Sequence, residues 1–219
     1  MASLYIGLFH FPMRNREGEI VATSTTSMDI HDIARSARTY DVARYFLVTP
    51  VPSQQEISWR VRGFWTEGER IAEKSRRGEA MEYVVIAEDL EETLEWIERA
   101  EGQQPLLVAT SARTSTTPRI PYEGVRERLM VGTQPVYILF GTGWGMADEL
   151  IDACDAMLPP IRAGAAFNHL SVRAAVAITL DRILGEHELT ASVAREDEAS
   201  VHVLGEDDVA AHGSGNADE

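Results

Sequence analysis

One amphipathic segment carries the first candidates for acid–base chemistry. Asp29, His31 and Arg35 lie within seven residues of one another, and they combine groups that proteins use to move protons and to bind anions. The apolar residues of this segment recur at helical spacing, which predicts a helix whose polar face carries His31, Arg35 and Arg38. A charged helix face is more often simply solvated, so both interpretations stay open at this point.

A glycine-rich run is the second candidate. Gly141-Thr142-Gly143-Trp144-Gly145 follows the apolar run 135–140, and glycine permits positive φ angles and close approach of a ligand to the backbone. Thr110 and Ser111 follow another apolar run, so they are expected at the same crevice beyond the carboxyl ends of parallel strands. The spacing is not G-x-G-x-x-G and no Walker lysine follows. Ligand binding and simple turn formation therefore remain alternatives.

The third candidate is a loop that leads into an apolar helix, in residues 158–184. A polar step, Asn168-His169-Leu170-Ser171, precedes the predicted helix 172–184. Ser171 is a good N-cap and Gly185 a natural stop. The backbone amides and the positive end of the helix dipole would face whatever lies at this entrance. Because the helix is apolar almost all round, it is expected to pack deep in the domain. A plain core helix after an Asn/His turn is the alternative to a ligand site.

Several chemistries find no support in the sequence. It contains no H-E-x-x-H, C-x-x-C or nucleophile-elbow pattern. The only cysteine is Cys154, which excludes an internal disulfide and a thiolate metal cluster within one chain. Metal-dependent and covalent hydrolytic mechanisms are therefore poorly supported. Without a signal-peptide pattern or an apolar run of membrane-spanning length, we expect a cytoplasmic protein.

The order of apolar and amphipathic segments predicts an α/β fold. Near-continuous apolar strands alternate with helices, which is typical of a mainly parallel sheet covered on both faces. The pattern predicts strands at 4–11, 20–26, 45–50, 83–87, 106–110 and 135–140. It predicts helices at 29–40, 53–81 with a break near Gly63 or Gly68, 89–100, 123–129, 147–157 and 172–184.

Charge divides the chain into two parts. The net charge is -15, and residues 188–219 carry nine acidic residues and one arginine. This stretch lacks apolar periodicity and is predicted to be a mostly disordered acidic tail after a domain of residues 1–187. Bulk charge therefore does not suggest a nucleic-acid ligand, and any such ligand would need a local basic patch. The six basic residues between residues 53 and 81 are one candidate patch, although such a run is usually a solvated face.

Three segments together resemble the motifs of the SPOUT superfamily of knotted S-adenosylmethionine-dependent RNA methyltransferases. Residues 29–42 resemble its first motif, residues 139–146 its second, and residues 158–175 its third. The likeness is closest to a small bacterial family of predicted RNA methyltransferases built as a single domain, and it covers roughly residues 4–186. Asp29 and His31 replace the asparagine and glycine of the ribose-methylating pattern, and His169 stands where its asparagine would be, so the acceptor is either a ribose hydroxyl or a base nitrogen.

The resemblance implies a Rossmann-like sheet whose C-terminal part forms a trefoil knot, a rare exception among folds. It implies that three loops wrap a bent S-adenosylmethionine, and that the helices flanking the knot form a homodimer. The residues implied to hold the cofactor are Thr110, Ser111, Gly141, Thr142, Gly143, Gly145, Ile161, Asn168, His169, Leu170 and Ser171.

Methyl transfer from a sulfonium is an in-line displacement, so catalysis would rest on alignment and electrostatics. We expect Arg35 to position or polarise the acceptor and a backbone phosphate of tRNA or rRNA, with Asp29 or His31 taking the proton. Arg38, Arg113 and Arg173 would add phosphate contacts. Two alternatives are a non-catalytic RNA- or ribosome-binding module that keeps the cofactor fold, and an unrelated nucleotide-binding α/β domain.

Overall fold

Parallel strands form the centre of the molecule. A computed structural model describes residues 1–67, 76–112, 117–162 and 169–186. The strands are β1 (Leu4–Phe9), β2 (Met13–Arg14), β3 (Ile20–Val21), β4 (Arg44–Val48), β5 (Val84–Ala87), β6 (Leu106–Ala109), β7 (Val136–Gly141) and β8 (Ala156–Met157). Six of them form a parallel sheet in the order β5-β4-β1-β7-β6-β8, and β2 and β3 form a short antiparallel pair.

Helices cover both faces of the sheet, which confirms the predicted α/β class. They are α1 (Ser27–Thr39), α2 (Pro52–Thr66), α3 (Arg76–Met81), α4 (Leu90–Glu101), α5 (Tyr122–Val131), α6 (Asp148–Asp152) and α7 (Val172–Leu184). The apolar residues of α1, α3, α5 and α7 pack in one core layer, and those of α4 and α6 pack in the other. The described helices include none that is long and apolar enough to cross a membrane.

Strand β1 shows why both layers form. Leu4, Ile6 and Leu8 pack in the first layer, while Tyr5 and Phe9 pack in the second. Successive side chains of a strand point to opposite faces, so a strand that is apolar at nearly every position must be covered on both sides. β1 pairs with β4 on one edge and with β7 on the other, which places it in the middle of the sheet.

Strand β8 is held on both sides by backbone hydrogen bonds. On one side it pairs with β6, and the amide of Leu158 donates to the carbonyl of Ala109 at 2.9 Å. On the other side the amide of Met157 donates to Pro118 at 2.8 Å, and the amide of Ile120 donates to Met157 at 3.0 Å. The chain at 156–158 therefore lies in the opening between β6 and the segment that leads to α5.

Two predicted elements are wrong in extent. The predicted strand 20–26 is reduced to β3, because the chain after Val21 bonds elsewhere: the Thr23 amide donates to His10 at 2.8 Å, and the Thr25 amide donates to the Gln54 side chain at 2.8 Å. The predicted helix 147–157 ends at Asp152 and gives way to β8. Pairing with β6 outweighs the helical pattern there, since local propensity yields to tertiary hydrogen bonds.

Helix α7 is only partly covered, contrary to the prediction of a deeply packed helix. Val176, Thr179, Leu180 and Ile183 are buried, but the remaining small and apolar positions are half-buried. The helix meets α1 and α5 along one side, and that contact covers only a stripe. The predicted tail, residues 188–219, lies outside the described residues.

The end of α7 is fastened by a side chain of α5. The Arg126 guanidinium donates to the carbonyl oxygens of Ile183 at 2.7 Å, Arg182 at 3.0 Å and Gly185 at 3.2 Å. These carbonyls belong to the last turn, where no intrahelical donor remains. A cation at this terminus also interacts favourably with the negative end of the helix dipole.

We predict that Arg126→Met lowers the free energy of unfolding by about 1.5 kcal/mol, the order expected when charge-assisted hydrogen bonds are lost. Urea denaturation measures it. Arg128→Met, at an exposed position of the same helix, is the matched control and should change stability little. Equal stability of the two variants would contradict a fastening role for Arg126.

Candidate functional site

The loops that carry most of the predicted cofactor residues begin at the carboxyl edge of the sheet. β6, β7 and β8 are parallel neighbours, so the loops after them, which begin at Thr110, Thr142 and Leu158, leave the same edge. Helix α1 leads into β4, which is parallel to β1, so α1 begins at this edge. Asp29 near the start of α1 contacts Arg173 near the start of α7, so α7 begins beside it. Three separate stretches of sequence are thereby brought to one place, as predicted for ligand sites in open parallel sheets.

The Gly141–Gly145 loop has a fixed backbone. Gly143 and Gly145 have φ angles of 58° and 101°, which other residues rarely adopt. A Cβ added at Gly141 would lie 2.6 Å from the Met146 side chain, so that position also requires glycine. The Arg14 amide donates to Gly145 at 2.9 Å, and the Trp144 amide donates to the Arg14 carbonyl at 3.3 Å. The loop is therefore held against β2, with Trp144 61% exposed at its tip.

The other loops contribute mainly backbone and small side chains. The Thr110 hydroxyl donates to the Leu139 carbonyl at 2.8 Å and so ties the end of β6 to β7. Ile161 is half-buried, while His169 and Leu170 are exposed. The Ser171 hydroxyl accepts from the Ala174 amide at 3.2 Å, which confirms the predicted N-cap. Asn168 and Arg113 lie outside the described residues.

The Asp29 side chain joins α1 to α7. It is buried, and its carboxylate accepts from Arg173 at 2.7 Å and from the Thr26 hydroxyl at 2.6 Å. Arg173 also lies 3.5 Å from Asp32. The sequence predicted a proton acceptor at Asp29 and a phosphate contact at Arg173; the structure brings the two charges together as an ion pair.

His31 and Arg35 lie on a different side of α1 from Asp29. The His31 ring meets the Trp65 ring of α2 edge-on, with 5.8 Å between ring centroids. Burial, followed by the nearby Arg77 charge, lowers the pKa of His31. Arg35 is exposed, and Arg38 lies 3.8 Å from Asp41. Residues two apart on a helix point about 200° apart, so the three predicted catalytic side chains do not converge within one chain.

Sequence reasoning missed His10, which follows β1 directly. The imidazole is completely buried, and its Nδ1 lies 3.0 Å from the Thr23 hydroxyl oxygen. Thr23 in turn lies 2.5 Å from the hydroxyl of Thr142 in the glycine loop. Burial lowers the pKa of His10 to about 4, although the Asp29 charge opposes the shift. Only its position at the end of a central strand could have singled it out.

Metal chemistry gains no support from the described residues, among which no three His, Cys, Asp or Glu side chains are grouped to hold an ion. The arrangement offers instead backbone groups and small side chains from three adjacent loops. That lining suits a nucleoside held by backbone contacts.

Comparison with known proteins gives consistent matches. A family described as SAM-dependent RNA methyltransferase matches residues 3–185. A protein of Oleidesulfovibrio alaskensis named tRNA (guanine-N(1)-)-methyltransferase is 39% identical over 184 residues, 84% of this chain but 42% of that protein. An uncharacterized protein of Aquifex aeolicus is 38% identical over 185 residues, 84% of this chain and 90% of that protein.

Among solved structures, the SpoU methyltransferase AviRb from Streptomyces viridochromogenes, in complex with AdoMet, superposes with a TM-score of 0.52 at 18% identity. The match covers 83% of this chain and 57% of that one. At this identity the likeness concerns the fold alone, and it agrees with the sheet and helix layers described above.

The buried His10 predicts a pH-dependent stability. The unfolded chain takes up a proton near pH 6.5, whereas the folded chain does so only near pH 4, so protonation favours unfolding between these values. His10 should therefore lower the free energy of unfolding by up to roughly 3 kcal/mol as the pH falls from 6.5 to 4, and should not change it above pH 6.5. Urea denaturation across this range should show a shallower acid loss in His10→Asn, and an unchanged slope would contradict the prediction. His169→Asn, on the surface, is the control.

The ion pair between α1 and α7 predicts coupled stabilities. Asp29→Asn should lower the free energy of unfolding by about 3 kcal/mol, because it leaves the Arg173 charge without its closest partner in a half-buried setting. Arg173→Met alone should cost a similar amount, and the double variant less than the sum. Additive losses in this cycle would show that the two side chains do not stabilise each other.

Proposed function

The chain belongs to the SAM-dependent RNA methyltransferases of the SPOUT superfamily, and on this premise we propose that it transfers the methyl group of S-adenosylmethionine to a nucleotide of tRNA or rRNA. The observation that carries the proposal is the convergence of the loops after β6, β7 and β8 at the entrance to α1 and α7. We place this activity in the cytoplasm, where the RNA substrate would be.

We assign the cofactor to those three loops. Thr110, Ser111 and residues 141–145 would form one wall, and Ile161 with residues 168–171 the other. The lining fits the group, since backbone amides and glycines allow close approach to an adenosine and half-buried Ile161 gives an apolar surface for its base. When bound, S-adenosylmethionine supplies an activated methyl group, so the protein needs only to align the acceptor and exclude competing nucleophiles.

We further propose that the C-terminal part forms a trefoil knot. Support comes from β8, which passes between β6 and residues 118–120. The chain beyond it is held by the Tyr122 hydroxyl, which donates to the Pro159 carbonyl at 2.9 Å. The chain then returns as α7, whose end accepts hydrogen bonds from Arg126 of α5.

A homodimer through α7 accompanies this proposal. Ala174, Ala177 and Ile178 form a half-buried apolar face on the side of α7 away from its core contacts. A second chain packed on that face would bury it.

Within the site we assign Arg35 the principal catalytic role. Its exposed guanidinium, in the second half of α1, can bind a phosphate and polarise the acceptor. His31 is the better candidate to take the proton, because its lowered pKa keeps it neutral at physiological pH. Asp29 keeps α1 and α7 in place through Arg173, and Arg38 adds charge for the RNA backbone.

The substrate class follows from the relatives only in part. The tRNA (guanine-N(1)-)-methyltransferase of O. alaskensis extends well beyond the segment that this chain matches, which is 42% of its length, so its named reaction can belong to the rest of that protein. The A. aeolicus relative is matched over 90% of its length, which shows that such a unit occurs without a large added domain. We therefore propose tRNA or rRNA as the substrate class and leave the modified atom to experiment.

The proposal predicts that wild-type protein binds S-adenosylmethionine in calorimetry and incorporates labelled methyl groups into deproteinised cellular RNA. Arg35→Ala should reduce methyl transfer by roughly 100-fold, the order seen when an electrostatic stabiliser is removed, with cofactor affinity unchanged. Arg128→Ala, at an exposed position of α5, is the control. Full activity of Arg35→Ala would remove this residue from the mechanism. Cofactor binding without methylation of any cellular RNA would favour a non-catalytic RNA- or ribosome-binding module.

A further inference from the structure

Beneath the glycine loop lies a short series of hydrogen-bonding side chains that connects three distant parts of the sequence. His10 follows β1, Thr23 follows β3, and Thr142 is the second residue of the Gly141–Gly145 loop. His10 Nδ1 lies 3.0 Å from Thr23 Oγ1, and Thr23 Oγ1 lies 2.5 Å from Thr142 Oγ1. Thr142 Oγ1 is itself 3.2 Å from the carbonyl oxygen of Phe9.

One proton arrangement satisfies all three side chains at once. If His10 carries its proton on Nδ1, it donates to Thr23, the Thr23 hydroxyl donates to Thr142, and the Thr142 hydroxyl donates to Phe9. Each hydroxyl then donates once and accepts once. The series runs in one direction and ends on a backbone carbonyl of the central strand, since the other acceptor for the Thr23 hydroxyl, the His10 carbonyl, is farther away at 3.4 Å.

The opposite arrangement leaves a buried donor without an acceptor. His10 Nε2 is buried and has no hydrogen-bond partner among the residues that the structure describes. If Nε2 carried the proton, an N–H group would be orphaned in the core, which proteins rarely tolerate. With the proton on Nδ1, Nε2 presents only a lone pair, so the surroundings of the ring select the tautomer that donates to Thr23.

The series acts on the loop that receives the cofactor in the proposed function. The Thr142 amide lies 3.3 Å from the Met13 sulfur, and a Cβ at Gly143 would lie 3.1 Å from the Thr23 methyl group. Thr23 therefore contacts the loop through its hydroxyl, and its methyl group lies on the side of Gly143 where a Cβ would be. β1 and β7 are adjacent, so His10 and the loop meet where two central strands end.

We propose that His10 is a positioning residue: through Thr23 it fixes the Thr142 hydroxyl, and with it the shape of the Gly141–Gly145 loop that holds the cofactor. The inference rests on the proposed function, because it takes this loop as a wall of the S-adenosylmethionine site. Small displacements of such a wall cost binding and alignment. His10 itself is buried, so it acts on the loop through Thr23.

Substitutions by asparagine and glutamine can distinguish the roles of the two ring nitrogens of His10. The nitrogen of asparagine can take the place of Nδ1, and that of glutamine the place of Nε2. His10→Asn should keep S-adenosylmethionine affinity within about threefold of wild type. His10→Gln, His10→Leu and Thr23→Val should each weaken it by about tenfold, the effect of one lost hydrogen bond. Thr39→Val, whose hydroxyl donates only to its own helix at Arg35, is the matched control.

A second readout does not depend on the cofactor. Hydrogen exchange of the amides of residues 142–146 should be faster in Thr23→Val and His10→Leu than in wild type and His10→Asn. If the wild type fails to bind S-adenosylmethionine, the proposed function fails, and loop exchange alone then decides the role of His10. Equal loop exchange in all variants, or equal losses in His10→Asn and His10→Leu, would overturn the inference, since packing rather than the Nδ1 hydrogen bond would then explain the residue.

Discussion

The structure depends on the backbone pairing of β8, two residues long, inside the opening next to β6. Hydrogen bonds from Met157 and Leu158 reach Pro118 on one side and Ala109 on the other, so this part of the chain is surrounded rather than placed at a sheet edge. Without this insertion the loop after β8 would not be placed at the carboxyl edge of the sheet. α7 would then lose its position between α1 and α5. The proposed cofactor site, the Arg126 contacts and the dimer face all follow from it.

The ion pair of Asp29 with Arg173 holds the start of α7 next to the start of α1. Arg173 approaches from the first turn of α7, and Asp29 is buried near the start of α1. A buried carboxylate is tolerated only when it is well bonded, and here both Arg173 and Thr26 satisfy it. The two helices that frame the site are thus fixed by an ion pair. Asp29 comes from the segment that resembles the first SPOUT motif, and Arg173 from the segment that resembles the third.

Much of the site was predictable because its elements are marked locally. The glycines at 143 and 145 have the positive φ angles that glycine permits, and Ser171 caps α7 as its residue type favours. The sequence identified Asp29, His31 and Arg35 of α1 as candidates, but it did not predict how their side chains are arranged. Helical rotation separates Asp29 from His31, and only the packing of α2 and α7 on opposite sides of α1 shows that the two residues have different surroundings.

The sequence by itself determined the α/β class, the order of its main strands and helices, and the three loops that deserved attention, because apolar periodicity, glycine and capping residues act over a few neighbouring positions. Tertiary structure alone decided that 156–157 is a strand and not a helix, that Asp29 binds Arg173, and that His10 reaches Thr142 through Thr23. Each of these depends on partners between 13 and 144 residues away. Contacts at such separations leave no periodic trace in the chain, since they form only when the parallel sheet brings its carboxyl ends together.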